Sequence, residues 1–387
     1  MSPSLVSLGL AAVTGVIWAI FLHPFWKAMR PKGGGYWVIG GHRGRHYGDN
    51  AAGVEAEARR RGVPIVWIAD EGARQLAKEA GAETLVRNSW AARKAISQAT
   101  ALIYSHGEDD LDLLLILLRS RSAPRFYLGH SLSLLKAGGV TEPALRDAFI
   151  VLRWIRAWLI TRWDWVLCAS DEEAENFKLC YPMAEGTTLL GGGAHLDQWA
   201  VAKEHPPKRR LYWFPTFRDT AATRAELEGI IREVLSSESL RNWLLENDYE
   251  FFLGSHINSD GPDTALEAPF FRRPLTHLVE DIRESEVLIS DYSGVVFDFL
   301  LLERPQVLFA FDLDEYQETR VLYGSYDSLD FALHPRTSAE LVEMIVGGAF
   351  DDESLQIAAR ERRKKSLPAR DGEFAAGSVD QILATLN

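Results

Sequence analysis

Three stretches carry side chains whose types and spacing suit chemistry. The first is Val287-Leu288-Ile289-Ser290-Asp291-Tyr292-Ser293-Gly294-Val295-Val296-Phe297-Asp298-Phe299. An apolar run ends in small polar residues and a second apolar run follows at once, which predicts a buried strand, a tight turn and a helix. The helix should close near Arg304-Pro305, before a second strand over Gln306–Phe311. Ser290, Asp291 and Ser293 are good helix caps, and Gly294 lets a ligand approach the backbone closely. The free N–H groups and positive dipole end of such a helix suit an anion, and a diphosphate in particular. Asp298 is a carboxylate within an otherwise apolar helix; two turns beyond Asp291, it is expected on the same face. These residues alone fit equally well a capped turn with a hydrogen-bonded aspartate.

The second stretch is Gly129-His130, directly after a strand-like run at Arg125–Leu128. Open parallel sheets bind ligands beyond the carboxyl ends of their strands, so His130 stands where a base could work. His106-Gly107, after a similar run at Ala101–Tyr104, is a weaker rival. The third stretch is Gly40-Gly41-His42-Arg43-Gly44-Arg45-His46-Tyr47-Gly48-Asp49-Asn50, between the strand-like Tyr36–Ile39 and an Ala/Glu-rich helix to Arg61. A strand, a glycine-rich loop and a helix open many nucleotide-type folds. No acidic metal cluster is evident, and Asp109-Asp110 reads as a solvated helix start.

The Ser290–Phe299 segment, followed by Glu303-Arg304-Pro305 and Phe311-Asp312-Leu313-Asp314-Glu315-Tyr316, resembles the signature of the CDP-glycerol glycerophosphotransferases, the teichoic-acid primases and polymerases. The resemblance is dense over Val287–Tyr316 and thin from Tyr36 onward. It implies a GT-B-like α/β fold: two Rossmann-like doubly wound domains facing a cleft, with the donor nucleotide in the C-terminal one. It further implies CDP-glycerol as donor; no cofactor is expected, and the residues suggest no metal. Ser290, Asp291, Ser293 and Gly294 would then hold the donor phosphates. His130 would be the catalytic base, although the family's Trp-His-Gly-Thr-Pro-Leu-Lys here reads Leu128-Gly129-His130-Ser131-Leu132-Ser133-Leu134-Leu135-Lys136. Tyr47, Asp49 and Asn50, with Gly44, match a loop that faces the cleft. Pro215-Thr216-Phe217-Arg218-Asp219 matches a Pro-Thr-Trp-Arg-Asp segment, making Thr216 and Arg218 candidate phosphate contacts. His256 stands where the family has a His-Pro, and would stabilise the leaving phosphate. The family's Pro-Arg-x-Asp reads Ala194-His195-Leu196-Asp197, so Asp197 joins Asp298 among the expected cleft residues.

The elements that must position these groups are legible as alternation. Strand-like runs at Val63–Ile68, Thr84–Val86, Ala101–Tyr104, Arg125–Leu128, Trp165–Cys168 and Thr187–Leu190 are mostly separated by helical patterns, which argues for a parallel sheet. A second alternating region starts at Leu211, beyond a linker over Ala200–Arg210. Residues 33–199 and 200–387 are therefore expected as the acceptor and donor domains of a 387-residue chain. A net charge of −12 argues against nucleic acid as a partner. Cys168 and Cys180 lack metal-like spacing and suggest a reducing compartment.

Residues 1–32 are expected as a membrane anchor. Leu5–Trp26 contains no charged residue and Lys27, Arg30 and Lys32 follow, the pattern of a single span with the rest on the cytoplasmic side. An in-plane anchor competes, because His23-Pro24 interrupts the run. Residues 149–165 interleave Trp154, Trp158, Trp163 and Trp165 with Arg153, Arg156 and Arg162, as a bilayer-interface helix would. The expected protein is a plasma-membrane transferase acting on a lipid-linked acceptor, with a homo-oligomer as one option. A nucleotide-sugar glycosyltransferase or epimerase, or a catalytically silent membrane scaffold, would present much the same elements.

Overall fold

The computed structural model describes residues 13–30, 35–115, 123–130, 132, 134–135, 163–181, 187–216, 218, 220–255, 266–274, 277–367 and 372–387. The chain forms two compact units. The first comprises Met1–Ser133, Gly138–Asp197 and Arg370–Asn387; the second comprises Leu134–Ala137 and Gln198–Ala369.

The first unit is built on a parallel sheet of β1 (Trp37–Gly40), β2 (Ile65–Ala69), β3 (Thr84–Val86), β4 (Ala101–Tyr104), β5 (Arg125–Tyr127), β6 (Trp165–Cys168) and β7 (Thr188–Leu190). Their spatial order is β3-β2-β1-β4-β5-β6-β7. Side chains alternate across a strand, so each strand feeds two cores. Trp37, Ile39 and Trp67 pack with Ala51, Val54 and Ala58 of the Asp49–Arg60 helix. Val38, Ile68 and Leu102 pack on the opposite face with Ala92 and Ile96 of the Trp90–Gln98 helix. Strand order reverses between β1 and β4, which opens a crevice at their carboxyl ends.

The N-terminal stretch belongs to that second core. It is helical over residues 13–28, with one π-helical turn at Trp18–Leu22. Trp18 is fully buried, and its indole N–H donates to Ser97 Oγ at 2.9 Å. The buried His23 lies 3.0 Å from the same hydroxyl, and Arg93 donates to Thr14 Oγ1 at 2.7 Å. Val13, Val16, Ile17, Ile20, Phe21 and Phe25 line the exposed face. Among the described residues no helix is long and apolar enough to cross a membrane. The charge-free run that suggested a span is apolar partly because one side of it fills the domain core. Trp18→Ala is accordingly expected to cost about 3–5 kcal/mol, seen as a lower denaturation midpoint; a detachable anchor would show no shift.

Of the expected interface helix, residues 149–162 lie outside the described residues. Trp163 stacks on Tyr127 at 4.7 Å and meets Phe177 and Tyr181, so it is part of the domain's aromatic packing. Trp165 packs against the core shared by β1 and β2.

The second unit carries a parallel sheet of β8 (Lys208–Phe214), β9 (Glu250–Ser255), β10 (Phe270–Pro274), β11 (Ser285–Ser290) and β12 (Gln306–Leu308), in the order β10-β9-β8-β11-β12. Leu211, Trp213, Phe251, Leu253, Val287 and Ile289 fill one face. Here the reversal falls between β8 and β11. The chain passes from the first unit to the second between Asp197 and Gln198, and its last stretch rejoins the first unit. The Phe374–Leu386 helix returns to the first unit, where Val379 and Ile382 join the β1–β2 core.

Candidate functional site

In the first unit, the crevice between β1 and β4 is lined by the loops that leave those strands. His42 and His46 come from the β1 loop, Asp49 and Asn50 from the helix start that follows it, and His106 from the β4 loop. His130 comes from the end of β5; it is exposed and stacks on His106 with ring centroids 4.4 Å apart. His106 in turn lies 4.2 Å from His42, and His46 meets His42 edge-on at 5.3 Å.

The loops are fixed by two buried polar groups. Asp110 accepts from the backbone N–H of Arg43 at 2.6 Å, His106 at 2.8 Å and Ser105 at 3.0 Å, tying the β1 loop to the β4 loop. The Asn50 amide donates to the carbonyls of Leu128 and Gly129, both at 3.0 Å, immediately before His130. Its oxygen accepts from the backbone N–H of His195 at 3.0 Å and lies 2.7 Å from that ring's Nδ1. Asn50→Ala therefore leaves several buried groups without a partner. The expected cost is about 1–3 kcal/mol, with a loss of turnover from a misplaced His130; Asn50→Asp, which cannot donate to the carbonyls, should behave alike in a melting and rate assay.

Charge in this crevice is uneven. Burial draws His106 down to about 3, helped by the neighbouring His130 and His42, so its ring is neutral at physiological pH. Burial also opposes charge on His42 and Asp49, but their mutual hydrogen bond and attraction win, raising the imidazole and lowering the carboxyl.

In the second unit, the crevice between β8 and β11 is bordered by Thr216 and by the turn from Asp291 to Gly294. Asp291 is buried, accepts from Thr216 N–H at 2.9 Å and Tyr292 N–H at 2.6 Å, and pairs with Arg218 at 3.0 Å. Arg218 also donates to Asp312, at 2.6 and 2.9 Å, and to the Thr216 carbonyl at 2.6 Å. The Tyr292 hydroxyl donates to Asp312, and its ring stacks on Tyr316 at 3.6 Å. Two groups are left at the surface of this frame. Ser293-Gly294 opens the Val295–Phe299 helix and is half-buried. Thr216 Oγ1 is buried with no hydrogen-bond partner among the described residues.

The family model for CDP-Glycerol:Poly(glycerophosphate) glycerophosphotransferase matches residues 36–384, nearly the whole chain. The chain belongs to this family. A teichoic acid glycerol-phosphate transferase of Staphylococcus aureus (strain NCTC 8325 / PS 47) is 35% identical over 190 residues, 43% of this chain and 46% of that protein. A teichoic acid poly(ribitol-phosphate) polymerase of Bacillus spizizenii (strain ATCC 23059 / NRRL B-14472 / W23) is 29% identical over 182 residues, 46% of this chain and 28% of that protein. The chain thus spans less than half the length of these curated relatives. In fold it is similar to the wall teichoic acid polymerase TagF, with a TM-score of 0.69 at 17% identity over 99% of both chains. A UDP-N-acetylglucosamine 2-epimerase from Listeria monocytogenes has the related architecture, with a TM-score of 0.57 at 12% identity, covering 91% of this chain and 96% of that one.

In this glycerophosphotransferase-family chain the anticipated residues divide into two groups. Asp49, Asn50 and His130 gather at one crevice, and Thr216, Ser293 and Gly294 border the other. The rest serve the frame. Arg218 is held by Asp291, Asp312 and the Thr216 carbonyl, and the Ser290 hydroxyl donates to the Phe214 carbonyl at 2.8 Å. The Tyr47 hydroxyl donates to the buried Glu55 at 2.8 Å. Asp197 caps the C-terminal helix, accepting from Phe374 N–H at 2.6 Å and Ala375 N–H at 3.0 Å. Asp298 is buried within its helix, but Asp291 precedes that helix, so two-turn spacing does not align them. His256 lies outside the described residues. Asp110 is fully buried and structural, where a solvated helix start was expected. His42, His195 and Asp312 were not anticipated; Asp312 stood within the Phe311–Tyr316 signature, the one signal that pointed to it.

Proposed function

We propose that this protein transfers a polyol phosphate, glycerol phosphate in the first instance, from a CDP-activated donor to a hydroxyl of a lipid-linked glycan or polymer, releasing CMP. The family match over residues 36–384 carries this reading. A TagF histidine variant soaked with CDPG is among the proteins similar in fold, and the polar groups at Thr216 and Ser293-Gly294 suit a diphosphate. In the proposed reaction His130 accepts the proton of the acceptor hydroxyl as that oxygen attacks the distal phosphorus in line. The bond from that phosphorus to the bridging oxygen breaks, and CMP departs with the electron pair. Backbone N–H groups near Ser293-Gly294 and the Thr216 hydroxyl would stabilise charge on the diphosphate, and His256 the leaving phosphate. Arg218 contributes indirectly, by holding Asp291 and hence the turn.

The same proposal places the enzyme at the cytoplasmic face of the plasma membrane. The exposed stripe from Val13 to Phe25 supports an in-plane seat, in which apolar side chains enter the headgroup boundary while Trp18 and His23 stay in the domain.

Radiolabelled CDP-glycerol and UDP-sugars, each incubated with the protein and a lipid-linked acceptor, separate this reading from a sugar transferase. Label should move only from CDP-glycerol; binding and turnover of sugar nucleotides alone would reject the proposal. Co-sedimentation with anionic vesicles tests the membrane seat, and Ile20→Glu/Phe21→Glu is expected to abolish it.

A further inference from the structure

The crevice between β1 and β4 holds a combination of groups that the transfer reaction does not use. One ring nitrogen each of His42 and His106 and one oxygen of Asp49 lie within 4.8 Å of one another. All three residues are partly exposed, so an ion has access. Ligand atoms about 2.0–2.2 Å from a zinc-like ion sit roughly 3–3.5 Å apart, and His42 Nε2 is already hydrogen-bonded to Asp49 Oδ2. Small side-chain rotations would close the set.

The surroundings fit an ion site in three further respects. Asp110, fully buried, binds the backbone of Arg43 and His106 and so locks together the two loops that carry the histidines. His106 Nδ1 lies 2.9 Å from Ser105 Oγ and accepts from the His42 backbone N–H at 3.3 Å, contacts that fix the orientation of the ring. His42 and Asp49 both hold left-handed backbone, with φ of 50° and 54°. Non-glycine residues adopt that conformation at a cost, and such strain gathers at functional sites. The Asp49 carboxylate supplies the negative charge that a cation requires. Two imidazoles and a carboxylate favour a borderline transition ion over magnesium or calcium, which prefer all-oxygen shells.

We propose that His42, Asp49 and His106 form a binding site for a divalent transition-metal ion of the zinc class, with an open coordination position in the crevice that also holds His130. The inference concerns the first unit alone and stands whichever donor the protein uses.

The test uses the full chain, stripped with a chelator and then titrated with Zn2+ by calorimetry and with Co2+ by visible absorption. A saturable Zn2+ site is expected, together with intense Co2+ bands of low-coordinate type that Zn2+ abolishes and Mg2+ leaves in place. His42→Ala/His106→Ala should weaken Zn2+ by about 100-fold or more, and Asp49→Asn, which keeps the side chain's shape, by about 10-fold or more. A wild-type Co2+ spectrum indistinguishable from the hydrated ion would overturn the proposal. So would unchanged Zn2+ affinity in Asp49→Asn and the double variant, both checked for native circular dichroism.

Discussion

Turnover in His130→Ala is expected to fall by about 100- to 10,000-fold, the usual worth of a positioned proton acceptor, with donor affinity unaltered. The ring is exposed at the end of β5, and the residues just before it are pinned through Asn50. Alanine therefore removes the imidazole and its stacking on His106 while the preceding backbone stays held. The donor-binding groups proposed above, Thr216 and Ser293-Gly294, belong to the second sheet, so CDP-glycerol should raise the melting temperature of the variant as it does that of the parent. Single-turnover kinetics at saturating donor give the rate. Unchanged turnover would remove His130 from the chemistry; lost donor stabilisation would assign it to binding instead.

Arg218→Met should be the most damaging single change in the second unit. The guanidinium is 3% exposed and faces two buried carboxylates, Asp291 and Asp312. Methionine fills similar volume but strands both acids in a medium that penalises uncompensated charge, at a cost of about 3–5 kcal/mol. Arg218→Lys should rescue little, because a single ammonium cannot reproduce the forked contact to Asp312 along with the bond to Asp291. Denaturant unfolding followed by the fluorescence of Trp213 and Trp243 would measure the loss. Adding Asp291→Asn and Asp312→Asn to Arg218→Met should recover part of it; a triple variant as unstable as the sum of its parts would show that the ion network is not the cause.

The sequence signals differ in how local they are, and that decides which were readable. The strand, turn and helix near residue 290 were legible because each depends on neighbours: β11 ends at Ser290, the helix opens at Val295, and the backbone breaks at Glu303 with φ of 55°. Alternation likewise exposed both parallel sheets. The charge partners of Arg218 were not legible, since one is 94 residues away and reaches it only once β8, β11 and β12 are aligned. The histidine crevice is similar. His42 and His106 are 64 residues apart in sequence and meet because β1 and β4 are neighbours in the sheet. Asp110 misled for a related reason, as paired acids after a loop look the same whether they face water or several backbone amides. In the charge-free N-terminal run, hydropathy does not show facing: Trp18 and His23 turn into the domain core while Ile20 and Phe21 face outward.

The return of the Phe374–Leu386 helix to the first sheet has a consequence for synthesis. On the ribosome, Val379 and Ile382 can reach the β1–β2 core only after every strand of the second sheet has been translated. The first sheet's core is therefore completed only after the second sheet's strands are all available, and the apolar surface that Val379 and Ile382 cover must be shielded until then, by chaperones or by transient collapse.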